Sequence, residues 1–374
     1  MVPAYHSQVT SSRQTPLSEV HARLGAVMTS FAGWQMPLRY GSETAEHQAV
    51  RHAAGLFDLS HMGEIVVRGP GAGAALDYAL TGFLSAVRPG RARYTMICDA
   101  GGGVLDDLVV YRQGEQDFLV IANASNTDVV HDALAARASG FDAEVRDATA
   151  DYALIAIQGP AAAGILGPLT ALDLGAMKYY AGAFGSVAGR PCWVARTGYT
   201  GEDGFEVFCR PADAVHVWDA LAAAGAGAGL IPAGLAARDT LRLEAGMPLY
   251  GNELGPDVTP FEAGLGRVVK FDKPGDFVGR SALAERAEAG PVKSLVGLTL
   301  ESRRVGRHGY PVLADGIECG TVTSGAPSPT LGHPIAMAYL NAGTDAGDAV
   351  LTVGIRGDAV PAQLTDLPFY SRSR

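Results

Sequence analysis

The segment of residues 101–112, GGGVLDDLVVYR, has the composition of a buried β-strand but carries two adjacent acids, Asp106 and Asp107, in its middle. Successive side chains of a strand point to opposite faces, so the two acids lie on different sides of it. Both faces are otherwise apolar, which is typical of a strand covered on both sides. Burying a carboxylate is costly unless a partner compensates it. Each acid therefore has two alternatives: a structural contact with backbone N–H groups or an arginine, or a carboxylate held ready for a substrate nitrogen.

The composition indicates a globular protein with reduced thiols. The chain has 374 residues, enough for two or three domains, of which 48% are hydrophobic and 18% charged. A formal net charge of −10 argues against nucleic-acid binding. The four cysteines show no CxxC spacing, which argues against a zinc site or a disulfide framework and favours a cytoplasmic protein. No apolar run reaches transmembrane length and no signal-peptide pattern opens the chain, so we expect no membrane association.

Hydrophobic periodicity predicts helices and strands in mixed order. Residues 63–69 and 117–125 are predicted strands, the second forming a hairpin with the opening segment. Residues 42–55, 211–225 and 236–245 are predicted helices, with Ser42 as the N-cap of the first and Gly55 just beyond its end. From about Phe271 onward, short apolar runs separated by Gly, Pro and Asp predict an all-β terminal domain, a small barrel or sandwich.

Two motifs suggest cofactor or metal sites only weakly. GPGAGA at residues 69–74 fits the dinucleotide fingerprint formally, but no acid ends a second parallel strand at the required distance. His47 and His52 are not at the i, i+4 spacing of helical metal ligands, so we expect solvated or capping roles for them and for His61. We therefore predict no metal, flavin or nicotinamide cofactor.

A second apolar strand also carries an acid, Glu206, in RTGYTGEDGFEVF at residues 196–208. Its structural alternative is an ion pair with an arginine, and its functional alternative is recognition of a ring with an amidine-like N–C–N edge. Arg238 lies at the start of a predicted helix beside Asp239. It forms either a local surface pair with that acid or a contact with an anion or a ring oxygen.

The basic segment ESRRVGRHGY at residues 301–310 stands out in an acidic chain. Its alternatives are a solvated loop, or a surface that docks an acidic partner or a polyglutamate tail through electrostatic steering.

Seven motifs together resemble one family, the T-protein family, the aminomethyltransferases of the glycine cleavage system. They are FAGWQMPLRYGS (31–42), GLFDLSHMGEI (55–65), GGVLDDLVVY, TGYTGEDGFEV, GLAARDTLRLEAGMPLYGNEL (234–254), GDFVGRSAL and VTSGAPSPTLGHPIAMAYL. They follow the family's order and cover nearly the whole chain from Thr15 onward.

The resemblance implies an α+β fold of three domains around a central channel that holds tetrahydrofolate. The expected divisions are a mobile extension at 1–14, a discontinuous first domain at 15–63 and 148–270, an inserted second domain at 64–147, and a C-terminal β-barrel of jelly-roll type at 271–374. The implied reaction moves the one-carbon unit from the aminomethyl-lipoyl arm of the H-protein to tetrahydrofolate. Its products are methylene-tetrahydrofolate, ammonia and the dihydrolipoyl arm.

The resemblance also implies the site residues. The first acid of the pair, Asp106, matches the family's catalytic aspartate, which would orient the folate amine, accept its proton and stabilise nearby positive charge. Asp107 is then structural, and the reverse assignment stays the alternative. Glu206 matches the pterin-reading glutamate, and the other folate-contacting positions are Arg238, Tyr199, Tyr94, Met62 and Asn123.

Two other classes of folate-binding protein are alternatives to the aminomethyltransferase. One is the folate domain of a dimethylglycine or sarcosine oxidoreductase, although those usually carry a flavin domain and only residues 1–14 precede the motifs here. The other is a folate-binding protein that assists iron–sulfur cluster assembly, which has a K-G-C-x-x-G-Q-E stretch where this chain has KPGDFVGRSA. One departure from the T-protein pattern is Arg267, at a position that is often aromatic.

Overall fold

The computed structural model describes residues 12–344, 347 and 349–372. Most of the predicted N-terminal extension, residues 1–11, lies outside the described residues. The end of that extension, Arg13–Gln14, is not a free segment, because it forms a short parallel strand beside Trp34 and Gln35.

Eight α-helices are present in the described part of the chain. In chain order they are α1 (Ser18–Arg23), α2 (Glu43–His52), α3 (Ala72–Ala79), α4 (Thr127–Ala138), α5 (Ala162–Leu166), α6 (Ala214–Gly225), α7 (Leu235–Glu244) and α8 (Arg280–Ala289). The predicted N-cap of α2 is confirmed, because the Ser42 hydroxyl accepts a hydrogen bond from the Ala45 N–H. The predicted position of Gly55 is wrong: α2 ends at His52 and the chain turns directly into a buried strand that contains this glycine.

The same residues form twenty β-strands. They are β1 (Arg13–Gln14), β2 (Val27–Phe31), β3 (Trp34–Arg39), β4 (Ala54–Asp58), β5 (Gly63–Arg68), β6 (Arg91–Cys98), β7 (Val104–Arg112), β8 (Asp117–Ala122), β9 (Glu144–Asp147), β10 (Ala153–Gln158), β11 (Gly182–Val187), β12 (Arg190–Ala195), β13 (Gly204–Cys209), β14 (Leu230–Pro232), β15 (Lys293–Leu300), β16 (Pro311–Ala314), β17 (Ile317–Pro327), β18 (Pro334–Asn341), β19 (Leu351–Ile355) and β20 (Asp358–Thr365).

The strand with the two acids, β7, lies inside a five-stranded sheet of order β6-β7-β8-β5-β9. The predicted hairpin is confirmed, because β7 and β8 pair antiparallel. The strand begins at Val104 rather than at residue 101. The chain approaches another segment too closely there for a side chain, since a Cβ on Gly103 would lie 2.1 Å from the carbonyl oxygen of Pro256.

A six-stranded sheet of order β11-β12-β13-β10-β4-β14 forms the second layer and carries Glu206 on β13. Its core is built from the apolar faces of β10, β12 and β13 and from α6, whose Trp218 and Leu221 are fully buried. The first sheet draws its strands only from residues 63–147, and the second from residues 54–58 and 153–232. The predicted domain divisions stay a prediction, which this separation of the strands supports.

The C-terminal strands close into a barrel of order β15-β18-β17-β16-β19-β20. Alternate side chains of these strands, among them Leu298, Val322, Ala338 and Val353, fill its interior. The predicted C-terminal barrel and the α+β class are thus confirmed. None of the helices in the described residues has the length and apolar character needed to cross a membrane.

A buried ion cluster, defined here as the Arg51 cluster (His47, Arg51, Glu202, Glu244 and Thr330), joins α2, α7 and the barrel. Arg51 donates to Glu244 at 2.8 Å and to Glu202 at 3.0 Å, and the Thr330 N–H donates to Glu244 at 3.1 Å. The side chains of Arg51 and Glu244 are 1% and 0% exposed, so neither charge is solvated by water. The cluster fixes the barrel against α2 and α7.

We expect Glu244→Gln to lower the free energy of unfolding by about 3–5 kcal/mol, because it leaves the buried Arg51 charge without its main partner. A matched surface change, Asp219→Asn, removes the partner of exposed Arg23 and should cost less than about 1 kcal/mol. Urea denaturation of the three proteins at neutral pH measures both values. Equal losses for the two variants would contradict the assignment of the cluster as a main stabilising contact.

The same contact predicts acid sensitivity. Burial by itself would raise the pKa of Glu244, but hydrogen bonds from His47, Ser328 and Thr330 lower it to about 2. A folded-state pKa below the unfolded one means that the stabilisation is complete above about pH 4.3 and is lost as the pH falls towards 2.

Candidate active site

The five-stranded and six-stranded sheets, a third small sheet of order β1-β3-β2, the loops around α7 and the barrel together enclose a cavity of about 900 Å³. Its walls include Phe31 of β2, Val109 and Ile121 of the first sheet, and Ala326 and Pro327 of the barrel. A volume of this size lies in the upper part of the range of about 300–1,000 Å³ that is usual for ligand sites. The exposed area of the wall is mainly apolar, and charged, amide and hydroxyl groups are distributed over it.

The second acid of the pair, Asp107, lies on the cavity wall, and Asp106 does not. The expectation that Asp106 faces the channel is therefore wrong. The two side chains point to opposite faces of β7, and the cavity lies on the Asp107 face, together with Val109 and Tyr111. Asp106 is fully buried on the other side.

Asparagine side chains hold both carboxylates in place. The Asn123 side-chain amide donates to Asp106 Oδ1 and to Asp107 Oδ1, each at 2.8 Å. Asp106 also accepts from the Asn123 backbone N–H at 2.9 Å and from the Asn126 amide at 2.8 Å. The Tyr94 hydroxyl donates to Asp107 Oδ2 at 2.9 Å. Asp106 thus has a full set of structural partners, whereas Asp107 has partners on one side and the cavity on the other.

Both acids hold protons more tightly than ordinary aspartates do. Burial, and next the charge of Asp107, raise the pKa of Asp106 to about 7. Burial also raises the pKa of Asp107, although the hydrogen bonds from Tyr94 and Asn123 oppose the shift. Asp107 is therefore a stronger base than a free aspartate and remains accessible from the cavity.

Glu206 lies on the cavity wall at β13 and is held by two hydroxyl groups. The Tyr111 hydroxyl donates to its Oε2 at 2.9 Å, and the Thr197 hydroxyl donates to the same oxygen. Glu206 forms no ion pair among the described residues, so the structural alternative of an arginine partner is wrong. Close packing aligns this strand: a Cβ on Gly204 would lie 2.5 Å from the Gln158 side-chain nitrogen.

Arg238 lines the cavity from the first turns of α7. Its guanidinium lies over the Tyr199 ring, 4.7 Å from the ring centroid, and makes no hydrogen bond or ion pair to any described side chain. The predicted surface pair with Asp239 is not formed, because Asp239 pairs with Arg242 at 2.8 Å. Burial lowers the pKa of Arg238, whereas the neighbouring Tyr199 and Glu206 raise it.

All six positions predicted to contact the folate lie on the cavity wall. They are Met62, Tyr94, Asn123, Tyr199, Glu206 and Arg238. The structure thus brings together five sequence segments that are far apart in the chain. The one difference from the predicted set is that Asp107, rather than Asp106, lies on the wall. Their roles as folate contacts stay a prediction.

Several cavity residues had no signal in the sequence. Tyr111 and Thr197 look like ordinary strand and loop residues, and only the fold shows that they hold Glu206. Tyr180 lines the cavity with a left-handed φ of 59°, which is rare for a residue other than glycine. Two backbone hydrogen bonds hold it, from its N–H to Arg196 at 3.0 Å and to its carbonyl from Ala92 at 2.9 Å.

The expectation of solvated or capping histidines holds only for His52, which is exposed on α2. His47 is fully buried in the Arg51 cluster, and His61 is buried on the cavity wall. Their sequence spacing does not show this, because each side chain is buried by segments that are distant in the chain.

The basic segment divides into residues with different surroundings. Arg304 forms an ion pair with Asp358, whereas Arg303 is exposed and Arg307 is an exposed residue on the cavity wall. Its docking role stays a prediction. Arg267, the departure from the family pattern, is exposed and does not line the cavity. No group of three or more potential metal ligands occurs among the residues that the structure describes.

Family models and named relatives match nearly the whole length of this chain. The sequence model described as "GCVT N-terminal domain" matches residues 17–273, and that described as "Glycine cleavage T-protein C-terminal barrel domain" matches residues 293–371. A protein of Streptomyces avermitilis named aminomethyltransferase is 64% identical over 97% of this chain and 98% of its own. One of Saccharopolyspora erythraea with the same name is 62% identical over 98% of this chain and 100% of its own.

A solved structure agrees as well. The crystal structure of glycine cleavage system aminomethyltransferase T from Bartonella henselae superposes with a TM-score of 0.89 at 35% identity. The match covers 96% of this chain and 98% of that one. The similarity therefore extends over the three sheets and the barrel.

Proposed function

Since this chain belongs to the glycine cleavage T-protein family, we propose that its cavity binds tetrahydrofolate and admits the aminomethyl-lipoyl arm of an H-protein. The chain is an aminomethyltransferase of the glycine cleavage system, as its relatives are, and hence a transferase. The observation that carries the finer proposal is that Asp107, Glu206 and Arg238 line one cavity. These three side chains offer two carboxylates and one guanidinium to the contents of the cavity.

The pterin ring of tetrahydrofolate presents an N–C–N edge with two N–H donors, which a single carboxylate can accept together. Glu206 is the group proposed for this contact, because Tyr111 and Thr197 orient it through Oε2 and leave its remaining acceptor capacity to the cavity. Arg238 supplies donors nearby for an acceptor on the same ring. These contacts would fix the orientation of the ring before the reaction.

The proposed chemistry needs a base near the folate amines. The N5 nitrogen attacks the methylene carbon of the aminomethyl group, the bond from that carbon to the amine breaks, and ammonia leaves. The N10 nitrogen then displaces the lipoyl sulfur, which closes the methylene bridge. The hydrogens of N5 and N10 end on the departing amine and on the sulfur, so atoms and charges balance.

Asp107 is the group proposed to assist both steps. Its carboxylate can orient a folate amine, accept its proton and stabilise a cationic iminium-like species as ammonia departs. The raised pKa makes it a better base than a free aspartate, and Tyr94 and Asn123 fix its orientation. Holding two substrates in one enclosed cavity supplies a further part of the rate enhancement.

The direct test uses aminomethylated H-protein and tetrahydrofolate with the wild-type chain and follows methylene-tetrahydrofolate and ammonia. Equal amounts of both products, dependent on both substrates, are expected. Titration with tetrahydrofolate alone measures binding separately. Binding without turnover would reject the proposed transfer between these two substrates, and absence of binding would reject the folate assignment itself.

The two alternative functions, iron–sulfur cluster assembly and the folate domain of an oxidoreductase, are not favoured. Curated relatives that match nearly the full length, among them those of Streptomyces avermitilis, Saccharopolyspora erythraea and Streptomyces coelicolor, are named aminomethyltransferases. The acid on the cavity wall also gives the chain a group that can take part in the proposed transfer.

A further inference from the structure

His61 is a buried, polar cavity residue that takes no part in the hydrogen bonds of Asp107 and Glu206. It is 2% exposed, and it lies on the cavity wall in the loop between β4 and β5. Its Nδ1 is enclosed and has no hydrogen-bond partner among the described residues. The Phe31 ring packs against it in an edge contact, with 5.6 Å between the ring centroids.

The nearest acid does not account for this histidine. The Asp58 carboxylate accepts from the Thr15 hydroxyl at 2.6 Å, from the Ser60 N–H at 2.9 Å and lies 2.8 Å from His21 Nε2. Asp58 is therefore satisfied without His61. A buried polar group with no partner costs free energy, and each such group in a folded protein needs an explanation. For His61 the explanation lies at the other ring nitrogen: Nδ1 stays unpaired, and the edge of the ring that carries Nε2 is left to meet a ligand in the cavity.

The protonation state of the ring follows from its surroundings. Burial, and next the positive charge of Arg238, lower the pKa of His61 to about 4, so the ring is neutral near pH 7. A neutral imidazole carries one N–H. A proton on the enclosed Nδ1 would create a buried donor without an acceptor, which proteins avoid. The proton therefore belongs on Nε2, on the edge that remains to meet the cavity.

Arg238 provides a second set of donors in the same place. It lines the cavity with His61, and it also shares the wall of a small adjoining void with Asp58 and Leu59, which directly precede the loop of His61. Its guanidinium can only donate hydrogen bonds. Two neighbouring donors of this kind suit a ligand atom that accepts from both, such as a carbonyl oxygen.

We propose that His61 and Arg238 together form a carbonyl-binding subsite, in which His61 Nε2–H donates to the 4-oxo group of the bound pterin ring. This inference rests on the proposed binding of tetrahydrofolate. It makes His61 a specificity-determining residue: it selects a ring with an oxygen, rather than an amine, at that position.

The test compares tetrahydrofolate with tetrahydroaminopterin, which differs by an amino group in place of the 4-oxo oxygen. The amino group would turn a donor towards the donors of His61 and Arg238. We expect the wild-type chain to bind the oxo compound more tightly. His61→Leu should bind tetrahydrofolate about tenfold more weakly and lose a similar factor of discrimination between the two ligands.

Three further measurements separate this role from a structural one. His61→Gln should restore part of the discrimination, because its amide can donate a hydrogen bond. His52→Leu makes the same chemical change on the exposed face of α2 and should leave both affinities unchanged. The unfolding free energy of His61→Leu should equal or exceed that of the wild type, because the change removes an unpaired buried polar group.

The outcomes are distinct. Unchanged discrimination in His61→Leu, or an equal loss of affinity for both ligands together with lower stability, would overturn the subsite. Failure of the wild-type chain to bind either compound would overturn the folate assignment and the subsite with it. Loss of discrimination at preserved stability supports both.

Discussion

Asp107→Asn is expected to lower the rate of methylene-tetrahydrofolate formation by about 10²–10⁴-fold, the range for removal of a general acid–base group. The amide keeps the size of the side chain, so binding of tetrahydrofolate should change little. It cannot accept a proton from the folate amine or stabilise positive charge in the same way. Measuring the turnover number and the folate affinity separately distinguishes these effects.

Asp106→Asn is the matched control for that variant, with a much smaller expected loss of about tenfold or less. Burial raises the pKa of Asp106 to about 7, so a neutral side chain at this position is a smaller change than it would be for an ordinary, ionised aspartate. The variant still disturbs Asn123 and Asn126, which donate to Asp106, and this accounts for the remaining loss. Collapse of turnover in Asp106→Asn with an active Asp107→Asn would restore the assignment expected from the sequence.

The wild-type pH profile gives a second check. Because burial raises the pKa of Asp107, the turnover number should fall on acidification at a pH above about 3.9, the ordinary value for aspartate. The two acids share Asn123, so the acid limb reports a pair and not one group. In Asp107→Asn the acid limb should change, because only Asp106 of the pair can still titrate.

Glu206→Gln is expected to weaken tetrahydrofolate binding by about 10–100-fold, because hydrogen bonds to a charged group contribute about 1.5–3 kcal/mol. The amide can accept only through its oxygen, and its NH₂ group would face one of the ring donors. Isothermal titration with tetrahydrofolate measures the loss directly. The turnover number at saturating folate should fall less than the affinity does, because Glu206 orients the ring but is not the proposed base.

Glu19→Gln, on the exposed side of α1, makes the same change away from the cavity and should bind folate normally. Equal affinities in all three proteins would remove Glu206 from the pterin site. A fall in stability of Glu206→Gln that matches its loss of affinity would instead assign the carboxylate to the support of Tyr111 and Thr197.

Much of the architecture was predictable from local patterns. The alternation in residues 104–112 and 117–122 predicted the hairpin, and the 3.6-residue periodicity around Trp218 predicted α6. The short apolar runs after Phe271 predicted an all-β terminal domain, a barrel or a sandwich, and the family resemblance specified the barrel. Gly55 was misplaced because a glycine after a helix usually ends it, whereas here the fold uses that residue inside a buried strand.

The three histidines show that local sequence patterns do not predict which side chains are buried. His47, His52 and His61 look alike in the sequence, and their spacing excludes only a helical metal site. Their surroundings differ completely: one lies in a buried ion cluster, one at the surface and one on the cavity wall. Burial of this kind depends on contacts between distant segments, such as that between α2 and the barrel, which periodicity does not contain.

Residue types and motif order were sufficient to predict the α+β class, the family and six cavity residues, because strand alternation and long motifs are local properties of the chain. Alternation also established that Asp106 and Asp107 point to opposite faces. It could not tell which face meets the cavity, because that depends on how the β7 sheet packs against α7 and the barrel. The packing encloses Asp106 among Asn123 and Asn126 and leaves Asp107 on the wall, where a carboxylate can reach a bound molecule.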